Sequence, residues 1–73
     1  MSENKEIVKK FSRRLKKLRL KKKMTQEKLA ETADISYKNL QYLESKNPTC
    51  PSLITLNKIA RAFGISISQL LKF

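Results

Sequence analysis

An all-α fold of five helices without a sheet is what this sequence predicts, and three observations carry the prediction. Apolar residues recur at spacings of three and four, with no strand-like alternation. An apolar residue, a capping hydroxyl and a second apolar residue four positions into the helix occur together three times: Met24-Thr25 with Leu29, Ile35-Ser36 with Leu40, and Ile65-Ser66 with Leu70. That spacing is the hydrophobic staple, which fixes how a chain enters a helix. The only glycine, Gly64, follows an amphipathic stretch where a helix end favours left-handed backbone. At 73 residues the chain is long enough for one apolar core, so one domain is expected over residues 1–73.

The first helix is expected from about Glu3 to Lys21, with Ser2 available as a cap and Glu3 and Glu6 near its positive end. Ile7, Val8, Phe11, Leu15 and Leu18 form one apolar stripe, and Lys9, Lys10, Arg13, Lys16 and Lys17 lie largely off it. For most of these lysines the reading is a solvated face rather than specific phosphate contact. A basic amphipathic helix can also lie on an anionic membrane. Here the stripe has partners later in the chain, so no membrane is expected as a partner.

Thr25 caps the second helix, with Gln26 and Glu27 in its first turn and Leu29, Ala30 and Ala33 at helical spacing. It must end near Ala33, because Asp34 tolerates left-handed geometry and Ser36 is a second capping hydroxyl. From Ser36 a third helix runs to about Glu44, burying Leu40 and Leu43 and presenting Tyr37, Lys38, Asn39, Gln41 and Tyr42. Ser45 to Pro51 reads as a polar loop. Ser52 caps a fourth helix from about Leu53 to Phe63, whose buried stripe is expected to be Leu53, Leu56, Ile59, Ala60 and Phe63. Ile67, Leu70 and Leu71 mark a short last helix, Ser66 with Gln69 offers a capping box at its start, and Phe73 adds apolar surface.

Charge narrows the function. The chain carries 17 Lys plus Arg against 6 Asp plus Glu, net +11, a balance that favours a polyanionic partner. Residues 1 to 24 hold 11 basic and 2 acidic side chains and account for most of the excess. There is no histidine, and Cys50 is the only cysteine, so neither a usual zinc site nor an internal disulfide is expected. That usage fits a reducing, cytoplasmic setting. The segment MSENKEIVKK lacks a signal-peptide apolar run, and no stretch approaches the ~18 apolar residues of a membrane span. Without an evident base for Cys50, a glycine-rich phosphate loop or a carboxylate dyad, the sequence predicts no enzyme, cofactor or small-molecule ligand.

From Leu15 to Leu71 the segments RLKKLR, MTQEKLAE, ISYKNLQYLE, PSLITLNKIARAFGIS and QLL follow one another in an order and spacing that resembles the phage repressor and Cro helix-turn-helix family, also called Xre-like. The resemblance implies a five-helix, lambda-repressor-like domain that binds a double-stranded DNA operator. Helices two and three would form the helix-turn-helix, and helix three would enter the major groove.

By resemblance, the base-reading positions fall on Tyr37, Lys38 and Tyr42, flanked by Asn39 and Gln41. Lys38 is suited to guanine O6 or N7, Asn39 and Gln41 to adenine or a phosphate, and the tyrosines to a thymine methyl or a phosphate. Packing of the Tyr42 ring against a neighbouring helix, and simple exposure of Tyr37 and Lys38, are the structural alternatives. Gln26, at the start of helix two, matches a glutamine that clamps the DNA backbone in the family. As a residue alone Gln26 reads about equally as a good helix former in a first turn, and the resemblance tips it to phosphate contact. By the same resemblance Lys46 and Asn47 are placed to meet the sugar-phosphate backbone, with an ordinary polar loop as the alternative. Arg19 and Glu44 match an ion pair that ties helix one to the end of helix three, with two unrelated surface charges as the alternative.

The chain departs from the family where relatives commonly place glycine: Lys23, Asp34 and Lys46 stand there instead. Either those turns bend differently or stability is given up, and the geometry at Lys46 is the one most affected. Operators of this type usually carry two half-sites, so a homodimer is expected, with Ile67, Leu70, Leu71 and Phe73 as its interface. Closure of the monomer's own core is the competing role for those four. The alternative function is a sequence-independent nucleic-acid binder or a helical protein-interaction module, because the charge of helix one serves any polyanion.

Overall fold

The computed structural model describes residues 2–73, with side chains described from Lys5 onward. The described residues form five helices and no strand: α1 (Ser2–Lys21), α2 (Gln26–Ala33), α3 (Tyr37–Leu43), α4 (Leu53–Phe63) and α5 (Ile67–Leu70). The cap expected at Ser2 and the side chain of Glu3 lie outside what is described.

Four helix starts share one capping geometry. Thr25 Oγ1 accepts from the Lys28 N–H at 3.0 Å, and Ser36 Oγ from Asn39 at 2.9 Å. Ser52 Oγ accepts from Thr55 and Ser66 Oγ from Gln69, both at 3.1 Å. Gln69 Oε1 accepts in return from the Ser66 N–H at 3.0 Å, which completes the capping box. Each cap satisfies a backbone donor that the helix itself leaves over, at about 1 kcal/mol apiece.

Three helix ends are equally alike. Lys23, Asp34 and Gly64 have φ of 56°, 57° and 73°. The N–H of each following residue, Met24, Ile35 and Ile65, bonds back to Arg19, Ala30 and Ala60 O at 3.0 Å, closing a Schellman motif. Met24, Ile35 and Ile65 then pack half-buried against the core as the staple residues of the next helices, whose partners Leu29, Leu40 and Leu70 are fully buried. One three-residue unit, a left-handed residue, an apolar residue and a hydroxyl, thus builds three of the four connections. Of the residues standing at the family's glycine positions, Lys23 and Asp34 adopt the left-handed conformation and Lys46 does not. The turn at Lys46 bends differently.

The core gathers Phe11, Leu15 and Leu18 of α1, Leu29, Ala30 and Ala33 of α2, and Leu40 and Leu43 of α3, closed by Ile59, Ala60 and Phe63 of α4 and by Leu70. A fully buried leucine or isoleucine of this kind contributes about 1.5–3 kcal/mol. Helix α2 packs on both α3 and α4, and α4 packs on α5. Two residues leave the stripes expected for them. Ile7 is 58% exposed and Leu53 is 71% exposed. Both have the right angular position on their helices but stand in the first turns of α1 and α4, where Leu53 is left to solvent and Ile7 borders an open groove with Leu56, Leu71 and Phe73 rather than the closed core.

Candidate nucleic-acid interface

Helix α3 is seven residues long, and its geometry decides which side chains face outward. At about 100° per residue, Tyr37, Gln41, Lys38 and Tyr42 fall within one arc of roughly 140°, with Leu40 and Leu43 on the opposite side. Tyr37, Lys38, Gln41 and Tyr42 are all exposed, and Leu40 and Leu43 are buried. Tyr42 remains 50% exposed, so its ring does not serve the core. Asn39, about 200° from Tyr37, is rotated toward Leu43 and is half-buried. An amide, an ammonium and two phenols on one short helix face can donate to and accept from base edges in a major groove.

The orientation of that face is held by a buried ionic cluster. Arg19 Nε donates to Glu44 Oε2 at 2.8 Å and Arg19 Nη2 to Glu44 Oε1 at 3.0 Å. The two side chains are 10% and 2% exposed. Arg19 Nη1 donates to Met24 O at 2.8 Å, and Gln26 Nε2 donates to Glu44 Oε1 at 3.1 Å. Glu44 is the C-cap residue of α3. The carboxylate therefore joins the last turn of α1 and the first residue of α2 to the end of α3, and Arg19 ties in the α1–α2 turn through Met24 O. The donors and acceptors of this set satisfy one another.

Gln26 thus has a role that sequence reasoning did not assign to it, since its amide completes the coordination of Glu44. It remains half-exposed at the start of α2. The Lys28 N–H is taken by Thr25 Oγ1 and the Leu29 N–H by Thr25 O at 3.0 Å. The first two backbone donors of the helix, at Gln26 and Glu27, are the ones that helical geometry leaves for an anion. Lys46 and Asn47 are exposed in the loop just beyond Glu44. The Gln26–Glu44 bond accordingly brings all three candidate phosphate-contacting residues near the same end of α3.

The C-terminal residues divide. Leu70 is fully buried in the chain's own core, which corrects its expected place in a dimer interface. Ile67 packs half-buried against that core, while Leu71 and Phe73 are 39% and 51% exposed. Leu71 and Phe73 line an apolar groove with Ile7, Val8, Phe11, Cys50, Pro51 and Leu56. Sequence reasoning also missed Arg14, whose Nη2 donates to Gln69 O at 2.8 Å and whose Nε donates to Leu70 O at 3.3 Å. A cation capping the carbonyl end of α5 has no local sequence signal, because donor and acceptors are more than fifty residues apart. No group of three or more metal-ligating side chains occurs among the described residues, and no described helix is long and apolar enough to cross a membrane.

A family model described as helix-turn-helix matches residues 15–70, spanning all of α2, α3, α4 and α5 and the second part of α1. The chain belongs to this family, the Xre-like, lambda-repressor-like helix-turn-helix proteins. It is a DNA-binding protein of the regulator type, with α2 and α3 as the helix-turn-helix. A comparison with curated proteins gives no match.

Proposed function

We propose that the chain is a sequence-specific transcriptional regulator, of repressor or controller type, that reads double-stranded DNA in the major groove with α3. The observation that carries this reading is the exposed arc of Tyr37, Lys38, Gln41 and Tyr42 on a helix whose other side is locked into the core. Lys38 is the guanine reader. Gln41 serves adenine or a phosphate, and Asn39 stands at the flank. The tyrosines contact thymine methyls or phosphate oxygens. The backbone donors at Gln26 and Glu27, together with Lys46 and Asn47, set the register by holding phosphates, which carry no sequence information themselves.

Two such domains on an inverted repeat would place their α3 helices in successive major grooves, roughly 34 Å apart. Leu71 and Phe73, with Ile67 beside them, are the contact assigned to the homodimer.

The test is selection of bound duplexes from a random-sequence library at about 0.15 M salt, where non-specific phosphate binding is weakened. An enriched inverted repeat supports the reading. Binding with no enriched sequence would favour the second reading, a sequence-independent nucleic-acid binder. The specific observation behind that alternative is the concentration of 11 of the 17 basic residues within residues 1–24.

A further inference from the structure

We infer that the groove between α1 and the loop after α3 is a second phosphate-binding surface, in which Lys9, Arg13 and Lys16 act with Lys46 on the duplex beyond the bases read by α3. This deepens the DNA-binding reading and rests on it.

The folded chain sorts the seven cations between Lys9 and Arg19 of α1 into three groups that the sequence does not distinguish. Arg14 and Arg19 are engaged in internal hydrogen bonds, to the end of α5 and to Glu44. Lys10 and Lys17 face the C-terminal tail, beside Lys72 and Phe73. Lys9, Arg13 and Lys16 line an open groove whose other wall is Glu44, Ser45, Lys46 and Pro48. Arg13 also reaches the edge of the tail-side group.

Four cations therefore surround the groove, and the one carboxylate in its lining does not neutralise them. The Glu44 side chain is 2% exposed and already accepts from Arg19 and Gln26. Like charges held together on a protein surface repel, and a polyanion that displaces their counterions relieves the repulsion. The groove begins at Ser45 and Lys46, directly after the end of α3, so a duplex seated on α3 continues toward it. Lys9 and Lys16 are separated by about 10 Å along the helix axis. That is about three nucleotide steps at 3.4 Å per strand.

The helix supplies its own matched control. Lys9 and Lys16 on the groove side, and Lys10 and Lys17 on the tail side, are pairs of exposed lysines at identical spacing on one helix. Lys9→Gln/Lys16→Gln and Lys10→Gln/Lys17→Gln remove the same charge from the full chain. Each variant is compared with wild type, after circular dichroism confirms unchanged helicity, by titrating salt against affinity. The probes are the duplex enriched by the wild type and a mixed-sequence duplex.

The groove-side pair should lower the slope of log affinity against log salt by about 1.8, near 0.9 per phosphate. The tail-side pair should lower it by less than half as much, and both variants should select the same sequence as wild type. Equal losses from the two pairs would make the effect one of net charge alone and overturn the groove. A shifted sequence preference in the groove-side variant would also overturn it, since backbone contacts do not specify bases. A wild-type chain that binds neither duplex overturns the DNA reading itself, a result distinct from binding with equal slopes.

Discussion

Replacing Glu44 with alanine should be the most damaging single change to a charged residue in this domain. Its carboxylate accepts three hydrogen bonds, two from Arg19 and one from Gln26, and only 2% of the side chain is exposed. In Glu44→Ala the guanidinium of Arg19, 10% exposed, keeps its bond to Met24 O and loses its counter-charge. Breaking a buried pair from one side costs about 3–5 kcal/mol, because an uncompensated charge stays behind. A domain of 73 residues is stable by only about 4–11 kcal/mol in total. At about 4–8 °C per kcal/mol, the midpoint of thermal unfolding should fall by roughly 12–40 °C.

Thermal unfolding followed by circular dichroism reads this directly, and urea titration gives the free energy. The double variant Arg19→Met/Glu44→Leu, which removes both charges and keeps apolar volume, should recover most of the loss. The loss in Glu44→Ala relative to wild type should also change little with added salt, since the buried pair is shielded from it. A Glu44→Ala protein within about 1 kcal/mol of wild type, the size expected of a surface pair, would refute the argument that this cluster holds α3 in place.

Other outcomes follow from the same geometry. Lys23→Gly should stabilise the chain by up to about 1 kcal/mol, by relieving a left-handed lysine at φ 56°. Gly64→Ala should destabilise it by a similar amount, although no atom beyond the adjoining residues lies within 4 Å of the added Cβ, so the cost is local backbone strain alone; urea unfolding of the two variants tests the opposite signs. Ser36→Ala removes the bond to the Asn39 N–H and should cost about 1 kcal/mol, seen in the same titration. Leu70→Ala should cost about 2–5 kcal/mol as a fully buried residue. Phe73→Ser, at a half-exposed position, should leave unfolding nearly unchanged and weaken self-association measured by sedimentation.

Most of the elements were legible because the starts of α2, α3, α4 and α5 are written in local chemistry. Thr25, Ser36, Ser52 and Ser66 each cap the helix expected of them, and Gly64 ends α4 in left-handed backbone. Leu53 and Ile7 show where that reading stops. Periodicity gives the direction in which a side chain points and says nothing of what stands opposite. Both residues share the angle of their stripes and still stand outside the closed core. Leu70 and Leu71 make the same point in reverse, since two adjacent leucines of equal hydrophobicity end with 0% and 39% exposure.

In the candidate site, the outward face of α3 followed from helical spacing, with Asn39 alone turned partly inward. The Arg14 cap on α5 and the Gln26 bond to Glu44 depend on how separate helices meet, which no short stretch of sequence encodes. The sorting of α1 lysines into a groove-side and a tail-side pair has the same origin.

The central claim is that α3 reads bases, and the most direct test compares sequence selection by wild type and Lys38→Ala from one random duplex library at about 0.15 M salt. Lys38 is exposed on α3, and its loss should leave the fold intact. The expected result is an inverted repeat for wild type and, for the variant, the same repeat with preference lost at one guanine of each half-site. The discrimination forfeited there should be about 1–3 kcal/mol. An unchanged motif for the variant, or no motif for either protein, would contradict the account.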